Sequence, residues 1–429
     1  MRLARAFSAL SSRNYRLFFG GQIVSMVGTW MTQTASMWLV YHLSSSAFLL
    51  GLVGFASQVP IFFLAPFAGV WADRVNRHRL LIVTQVLSML QSLALAAFAL
   101  TNTISISHIV ALSLVQGMIN AFDMPVRQAL VVDFVESREH LGNAIALNSS
   151  LFNLARLVGP AIGGFVIAAV GVGMCYVIDG ASYLAVIAAL LAMRLPRKTD
   201  RPPPKHPIAE LHEGFSYVFH FAPIRALIIL VASISAIGFS YAVLTPVYAR
   251  DVFHGDARTL GGLMAASGTG AVLSAFYLGT RKSVRGLGYV ITLGGTLMGT
   301  ALIGFAFSRW LPLSFFCLML AGSGGVLLMA SSNTLVQTMV HDDKRGRVMS
   351  IFTMAFTGTA PLGNLIAGTL ASRIGSFETL VINGVLCMAV MTAFFLRLPK
   401  LRAAAAPVLA TVDPVMLDPL VTPAERTDR

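Results

Sequence analysis

The chain has 429 residues, of which 56% are hydrophobic and only 11% charged, and its mean hydropathy is +0.75. Soluble domains carry about 25% charged residues, so this composition excludes a soluble globular protein. The net charge of +13 would suit a nucleic-acid partner. Most basic residues, however, fall on one predicted side of a membrane, as the positive-inside rule requires. We therefore expect a lipid bilayer and no nucleic acid as the partner.

Twelve apolar stretches follow one another along the chain. Crossing a bilayer core takes roughly 20 residues, and in lipid a helix satisfies all its backbone polar groups internally. The sequence therefore predicts an all-α membrane protein. The predicted spans are 17–43, 47–72, 79–101, 105–124, 143–169, 173–194, 223–250, 259–280, 287–308, 311–334, 347–372 and 377–397.

These spans divide into two groups of six. The predicted units are a first six-helix bundle, a cytoplasmic linker, a second six-helix bundle and a disordered cytoplasmic tail, at 1–194, 195–222, 223–397 and 398–429. The linker begins with a proline-rich basic segment and continues, from Ile208, with the apolar spacing of an amphipathic helix lying on the inner membrane surface. The positions of the basic residues predict that both termini are cytoplasmic.

The two halves end in similar segments. Val-Ile-Asp-Gly at 177–180 and Arg-Leu-Pro at 194–196 correspond to Val-Ile-Asn-Gly at 381–384 and Arg-Leu-Pro at 397–399. A duplicated six-span unit joined in parallel is a recurring architecture of carriers whose site lies between two halves. The repeat therefore predicts two pseudo-symmetric bundles and a membrane transporter.

Nothing in the sequence indicates an enzyme, a cofactor or a metal site. Cys175, Cys317 and Cys387 lie far apart inside predicted spans, without the spacing of a disulfide or metal site. The histidines form no His-x-x-x-His pair, and there is no phosphate-binding Gly-Lys-Ser loop. We expect a small molecule, not a cofactor, to be the ligand.

The loop after the second span reads Gly-Val-Trp-Ala-Asp-Arg-Val-Asn-Arg-His-Arg over 69–79. It closely resembles the G-x-x-x-D-R-x-G-R-(R/K) signature of the major facilitator superfamily, with Asn76 in place of a glycine. Asp-Met-Pro-Val-Arg-Gln-Ala at 123–129 is similar to the enterobactin-exporter-like branch of multidrug and siderophore exporters. The resemblance covers about 14–399 and implies the major facilitator fold. We expect the protein to act as a monomer.

The same resemblance implies a cytoplasmic gate. In the family, the Asp of this loop lies near the N-terminal end of the eleventh helix and pairs with an Arg of the loop and with an acid at the end of the fourth helix. The corresponding gate residues here are Asp73, Arg74, Arg77, Asp123 and Arg127. The alternative is that these are ordinary loop charges that set the topology.

The fifth span contains a segment that resembles the G-P-x-x-G-G core of the family's antiporter motif, which is associated with export. Its residues are Gly159, Pro160, Gly163 and Gly164. Small residues at this spacing allow helices to approach closely, and the proline permits a bend.

In the fourth span Ser113 replaces the Arg of the drug-exporter pattern R-x-x-Q-G, so proton coupling through that position is not supported.

Two ionisable residues lie deep in predicted spans, where charges are costly and usually functional. Arg156 is at the midpoint of the fifth span, and Asp179 is six residues into the sixth. Asp179 is a candidate proton carrier, and Arg156 is a candidate charge partner or clamp for a substrate anion. The alternative is a permanent structural pair or an Asp held by hydrogen bonds, since Asn383 occupies the repeated position of Asp179.

Polar residues on single helical faces predict a substrate cavity between the halves. The candidates are Gln22, Thr29, Gln33, Gln116, Asn120, Asn153, Tyr241 and Asn333. The alternative for each is an ordinary hydrogen bond between helices.

The sequence as a whole predicts an exporter of the bacterial inner membrane. We expect it to move an amphipathic small molecule, a drug or a siderophore, by proton antiport, with two bundles that rock to alternate access. The alternative is a proton-coupled importer of a small metabolite with the same fold.

Overall fold

The computed structural model describes residues 7–193, 215–281, 283–341 and 344–412, without the side chains of 65–66, 69–74, 138 and 409–412. The gate candidates Asp73 and Arg74 therefore have side chains outside the described residues. Most of the predicted linker and residues 413–429 of the predicted tail lie outside them as well.

Twelve long helices make up the described part of the chain. They are α1 (Arg13–Ser44), α2 (Ala47–Arg74), α3 (Arg77–Leu100), α4 (Ile106–Phe134), α5 (Leu141–Val170), α6 (Val172–Leu191), α7 (Ala222–Val252), α8 (Ala257–Thr280), α9 (Leu287–Phe307), α10 (Leu311–Met339), α11 (Arg345–Ile374) and α12 (Ser376–Val412). Helix α7 is interrupted after Ile237 and ends in a π-helical turn, Tyr248–Val252.

The helices have the length and composition of membrane spans. Within the described residues, ten are apolar enough over a sufficient length to cross a bilayer. Helices α1 and α11 are long enough, at 32 and 30 residues, but carry more polar side chains. Both lie at the contact between the two halves, where a spanning helix need not be apolar on every face. The predicted all-α fold with twelve spans is confirmed.

Side-chain caps and glycines set several helix boundaries. Asn76 accepts a hydrogen bond from the Arg79 backbone N–H at the start of α3, and Asp256 accepts two at the start of α8. The tight α5–α6 and α11–α12 turns each need a left-handed residue, supplied by Gly171 at φ +88° and Gly375 at φ +104°. These two glycines occupy the same position in the two halves, so the repeat extends to the turn geometry.

Two predicted boundaries are wrong. The fourth span was expected to end at 124, before Pro125, but α4 continues to Phe134, because a proline inside a membrane helix costs only a hydrogen bond that neighbours can replace. Residues 398–412 of the predicted tail continue α12. An alanine run at 403–406 favours the helix, and Arg402 stacks on the Tyr289 ring and donates to its hydroxyl (3.0 Å).

The helices form two bundles with the same internal contacts. In the first bundle α1 packs on α5 and α6, α2 on α4, and α3 on α4 and α6. In the second bundle each contact recurs six helices later, so α7 packs on α11 and α12, α8 on α10, and α9 on α10 and α12. The predicted pseudo-symmetric pair of six-helix bundles is therefore present.

The bundles meet chiefly through two equivalent pairs, α2 with α11 and α5 with α8. We call the end where α1 begins and α12 ends the terminal end, and the opposite end the distal end. In the distal half the pairs touch backbone to backbone. A Cβ on Gly51 would lie 2.6 Å from the Asn364 carbonyl, and one on Gly164 would lie 2.5 Å from the Ala257 carbonyl.

The surface between the bundles opens toward the terminal end. Ile145 and Gly163 lie on the same face of α5, about five helical turns apart. Gly163, in the distal half, is buried against Met31, whereas Ile145, in the terminal half, is 55% exposed. Phe152, two turns before Gly159 on this face, is also exposed. The same face of α5 is thus covered in the distal half and exposed in the terminal half, and we infer from this a groove between the bundles that is open at the terminal end.

Candidate functional site

Asp123 and Arg127 form the centre of a buried polar network inside the first bundle. They are one turn apart on α4 and make an ion pair. Asp123 also accepts hydrogen bonds from Thr84 (2.8 Å) and Gln85 (2.6 Å) of α3, and Arg127 donates to Gln22 of α1 (2.8 Å). A buried carboxylate needs a partner charge and several donors, and here it has both. The network joins α1, α3 and α4.

This network differs from the gate expected for Asp123. That gate needs an acid at the end of the fourth helix, but α4 runs well beyond Asp123, and the acid in its last turn is Asp133. The described partners of Asp123 and Arg127 all belong to the first bundle. Arg77 is the first residue of α3. The gate therefore stays a prediction for all five residues, and in this structure Asp123 and Arg127 join α1, α3 and α4 of the first bundle.

Asp179 lies buried where α6 meets α1 and α3. It is 2% exposed, and its Oδ2 accepts a hydrogen bond from the Ser92 hydroxyl (2.9 Å). Its Oδ1 has no hydrogen-bond partner among the residues that the structure describes. Helix α1 approaches this atom through Gly28, on which a Cβ would lie 2.7 Å from Oδ1. Asp179 is thus a buried carboxyl group with one hydrogen bond from the described residues and no described cation beside it, an arrangement in which a charge is costly.

Arg156 lies at the middle of α5. It is half-buried and has no hydrogen-bond or ion-pair partner among the residues that the structure describes. Its own backbone packs on α8, because a Cβ on Gly268 would lie 3.0 Å from the Arg156 carbonyl. The two buried charges that the sequence suggested as a pair are thus not paired in this structure.

The predicted cavity residues fall into two groups. Thr29 and Gln33 are exposed, and Gln116, Asn120, Asn153 and Asn333 are half-buried, so these six remain candidates for a substrate surface. Gln22 is buried against Arg127, and Tyr241 is buried with its hydroxyl 2.6 Å from that of Ser267. These two side chains connect helices behind the groove surface.

The glycines of the antiporter-like segment are sites of close helix approach. A Cβ on Gly159 would lie 2.5 Å from Trp30 Cβ, and Gly163 packs on Met31, so both face α1. Pro160 and Gly164 face α8, where a Cβ on Gly261 would lie 2.5 Å from the Pro160 carbonyl. One short segment therefore holds α5 against the first bundle on one side and against the second bundle on the other.

A polar contact at the distal end joins the two bundles and was missed from the sequence. The Tyr41 hydroxyl of α1 donates to Asp251 of α7, and the Arg250 guanidinium stacks over the Tyr41 ring. Arg250 also donates to the Tyr41 carbonyl (3.0 Å) and to the Ser45 hydroxyl (3.1 Å). Arg-Asp at the end of a span looks like ordinary topology charge, and only the packing of both halves reveals the partner.

Two repeated six-helix bundles, joined through two equivalent helix pairs, have the architecture of the major facilitator class of transporters. The family model described as transmembrane secretion effector matches residues 4–425. The chain belongs to this family of the major facilitator superfamily, and it is a multi-pass membrane protein.

The relatives are transporters too, and efflux is common among them. The chain is 28% identical to the staphyloferrin A transporter of Staphylococcus aureus, over 90% of this chain and 97% of the relative. It is 27% identical to the multidrug efflux pump Tap of Mycolicibacterium fortuitum, over 89% and 95%. A bacterial homologue of the human lysosomal transporter Spinster, solved in an inward-facing, unoccupied conformation, shares the fold with a TM-score of 0.64 and 14% identity, over 95% and 99%.

Proposed function

We propose that the protein exports an amphipathic small molecule, a drug or a siderophore, across the bacterial inner membrane in exchange for protons. The observation that carries the proposal is one face of α5 that is covered in the distal half and exposed in the terminal half, together with the distal contact of Tyr41, Arg250 and Asp251. We infer from it a groove that is open at the terminal end and closed at the distal end. With both termini in the cytoplasm, the groove receives its substrate from the cytoplasm. The efflux function of Tap and the siderophore named in the staphyloferrin A transporter support the two substrate classes.

Alternating access follows from the repeated contacts. Each bundle is held together internally, whereas the bundles meet mainly through α2–α11 and α5–α8. A monomer with this construction rocks about the two equivalent contacts, so that the distal contact separates as the terminal end closes. In the closed-terminal state the loop of Asp73, Arg74 and Arg77 forms the cytoplasmic gate.

Asp179 is the proposed proton carrier. It is buried, has no cation beside it in the described ranges of the chain, and touches α1 at Gly28 and α3 at Ser92. When it loses its proton, the uncompensated charge disfavours this packing, and when it regains the proton the three helices close on it again. Proton exchange at this position therefore couples to the arrangement of α1, which contributes Tyr41 to the distal contact.

The test is proton flux in energised everted membrane vesicles that contain a pH-quenched dye. Siderophores and lipophilic drugs are added to the wild type, to Asp179→Asn, and to Glu139→Gln, which removes an exposed carboxylate as a control. We expect substrate-triggered dequenching in the wild type and the control only. Dequenching in Asp179→Asn as well would leave the antiporter but remove Asp179 as its carrier. No response to any compound with folded wild type contradicts proton antiport.

A further inference from the structure

The charge of Arg156 needs a counter-charge that the described protein does not supply. Of the two acids buried near mid-span, Asp123 pairs with Arg127, and Asp179 is held by Ser92 against Gly28. Arg156 itself is paired with neither. An arginine remains charged under all physiological conditions, and a lone cation at the middle of a membrane is stable only where water or an anion reaches it.

The position of Arg156 on α5 identifies the surface that it faces. Successive residues of a helix turn by about 100°, so Arg156 lies about half a turn around α5 from Phe165. Phe165 is 64% exposed, on the side of α5 opposite its contacts with α1, and the Arg258 guanidinium lies over its ring. Arg156 falls instead between Gly159, which contacts α1, and Leu157, which contacts α8. It therefore faces the inner surface between the bundles.

The same face leads from Arg156 to the opening. Asn153 and Ser149 lie one and two turns closer to the terminal end, and Ser149 is exposed. On the distal side the closely packed glycines at 159, 163 and 164 seal the helix against its neighbours. Arg156 thus lies at the closed inner end of a polar strip that starts at the opening of the groove.

We propose that Arg156 binds an anionic group of the transported molecule, a carboxylate, at mid-depth in the groove. This inference rests on the proposed transport function and adds the charge of its substrate. The guanidinium presents a planar set of donors that matches a carboxylate, and its charge rejects an organic cation from the same place. The transporter therefore prefers acidic amphipathic molecules to the cationic ones.

The test measures binding to purified protein in lipid nanodiscs. The probes are 11-(dansylamino)undecanoic acid and its primary amide, which differ only in the charged group. We expect the wild type to bind the acid about tenfold or more tightly than the amide, and Arg156→Gln to lose this preference with unchanged amide affinity. Arg309→Gln, which removes an equal charge from an exposed loop, is the matched control and should behave as the wild type.

A second variant tests the inference by a change of pH, so that the charge at position 156 changes within the same folded protein. The imidazole of Arg156→His gains its charge below an ordinary pKa of about 6.5. Its acid preference should be present at pH 5.5 and lost at pH 8, whereas the wild type keeps the preference at both. Equal affinity of the wild type for acid and amide, or an acid preference that survives in Arg156→Gln, overturns the inference.

Transport direction separates this inference from the proposed function. Acid preference with uptake in place of export would contradict the proposed function and keep the role of Arg156. Export at the same rate in wild type and Arg156→Gln, with no acid preference, would keep the exporter and contradict the anion site.

Discussion

At the scale of single residues, the buried charges of this protein have separate roles. Asp123 is neutralised by Arg127, and the hydrogen bonds of the pair join α1, α3 and α4, so it stabilises the first bundle. Within the described part of the chain, Asp179 has one hydrogen bond and no cation beside it, which is why we propose it as the proton carrier. Arg156 has no described partner and faces the groove. The sequence alone marks all three charged residues as unusual, but only their neighbours in the structure distinguish a structural charge from a functional one.

The Asp123–Arg127 pair gives a stability prediction. Arg127→Met leaves the buried carboxylate without its cation. Removal of one partner from a buried ion pair lowers the free energy of unfolding by about 3–5 kcal/mol. We expect a clearly lower apparent Tm of the purified protein. The double variant Asp123→Asn with Arg127→Met removes both charges and should recover part of the loss. A single variant as stable as the double one would show that the pair is not needed for the packing of α1, α3 and α4.

At the scale of helices, most of the fold could be predicted from the sequence. Long apolar runs in lipid have to be helices, so number and order of the spans follow from hydropathy, and the repeat predicts the pairing of the bundles. The end of α4 could not be read from Pro125, because neighbouring helices decide whether a proline ends a helix. The Tyr41–Asp251 contact could not be predicted, because its residues are 210 positions apart and meet only when the bundles pack.

The α5–α8 contact gives a prediction at this scale. A methyl group added in Gly164→Ala would lie 2.5 Å from the backbone carbonyl of Ala257, which cannot move as a side chain does. Overpacking of this kind costs about 1–3 kcal/mol, and here it acts only on the distal-closed state. We expect slower transport with normal expression. Gly142→Ala, on the same helix where a Cβ meets nothing within 4 Å, is the control and should transport as the wild type.

At the scale of the whole molecule, the central claim is that the bundles move as two bodies, so that the distal end opens as the terminal end closes. Removal of the polar distal contact should shift the equilibrium from the distal-closed state toward the terminal-closed state. Tyr41→Phe with Arg250→Ala removes hydrogen bonds worth about 1 kcal/mol each, so a shift of at least about tenfold in the ratio of the two states is expected.

The most direct measurement is the spin-label distance across each end. One label pair replaces Leu43 and Trp310 at the distal end, and the other replaces Gly142 and Gly346 at the terminal end, where a new side chain has open space. The native cysteines are buried and should remain unlabelled. In Tyr41→Phe with Arg250→Ala, the account predicts a longer distal distance together with a shorter terminal distance. A longer distal distance with an unchanged terminal distance would show local loosening, and would contradict two bundles that alternate access.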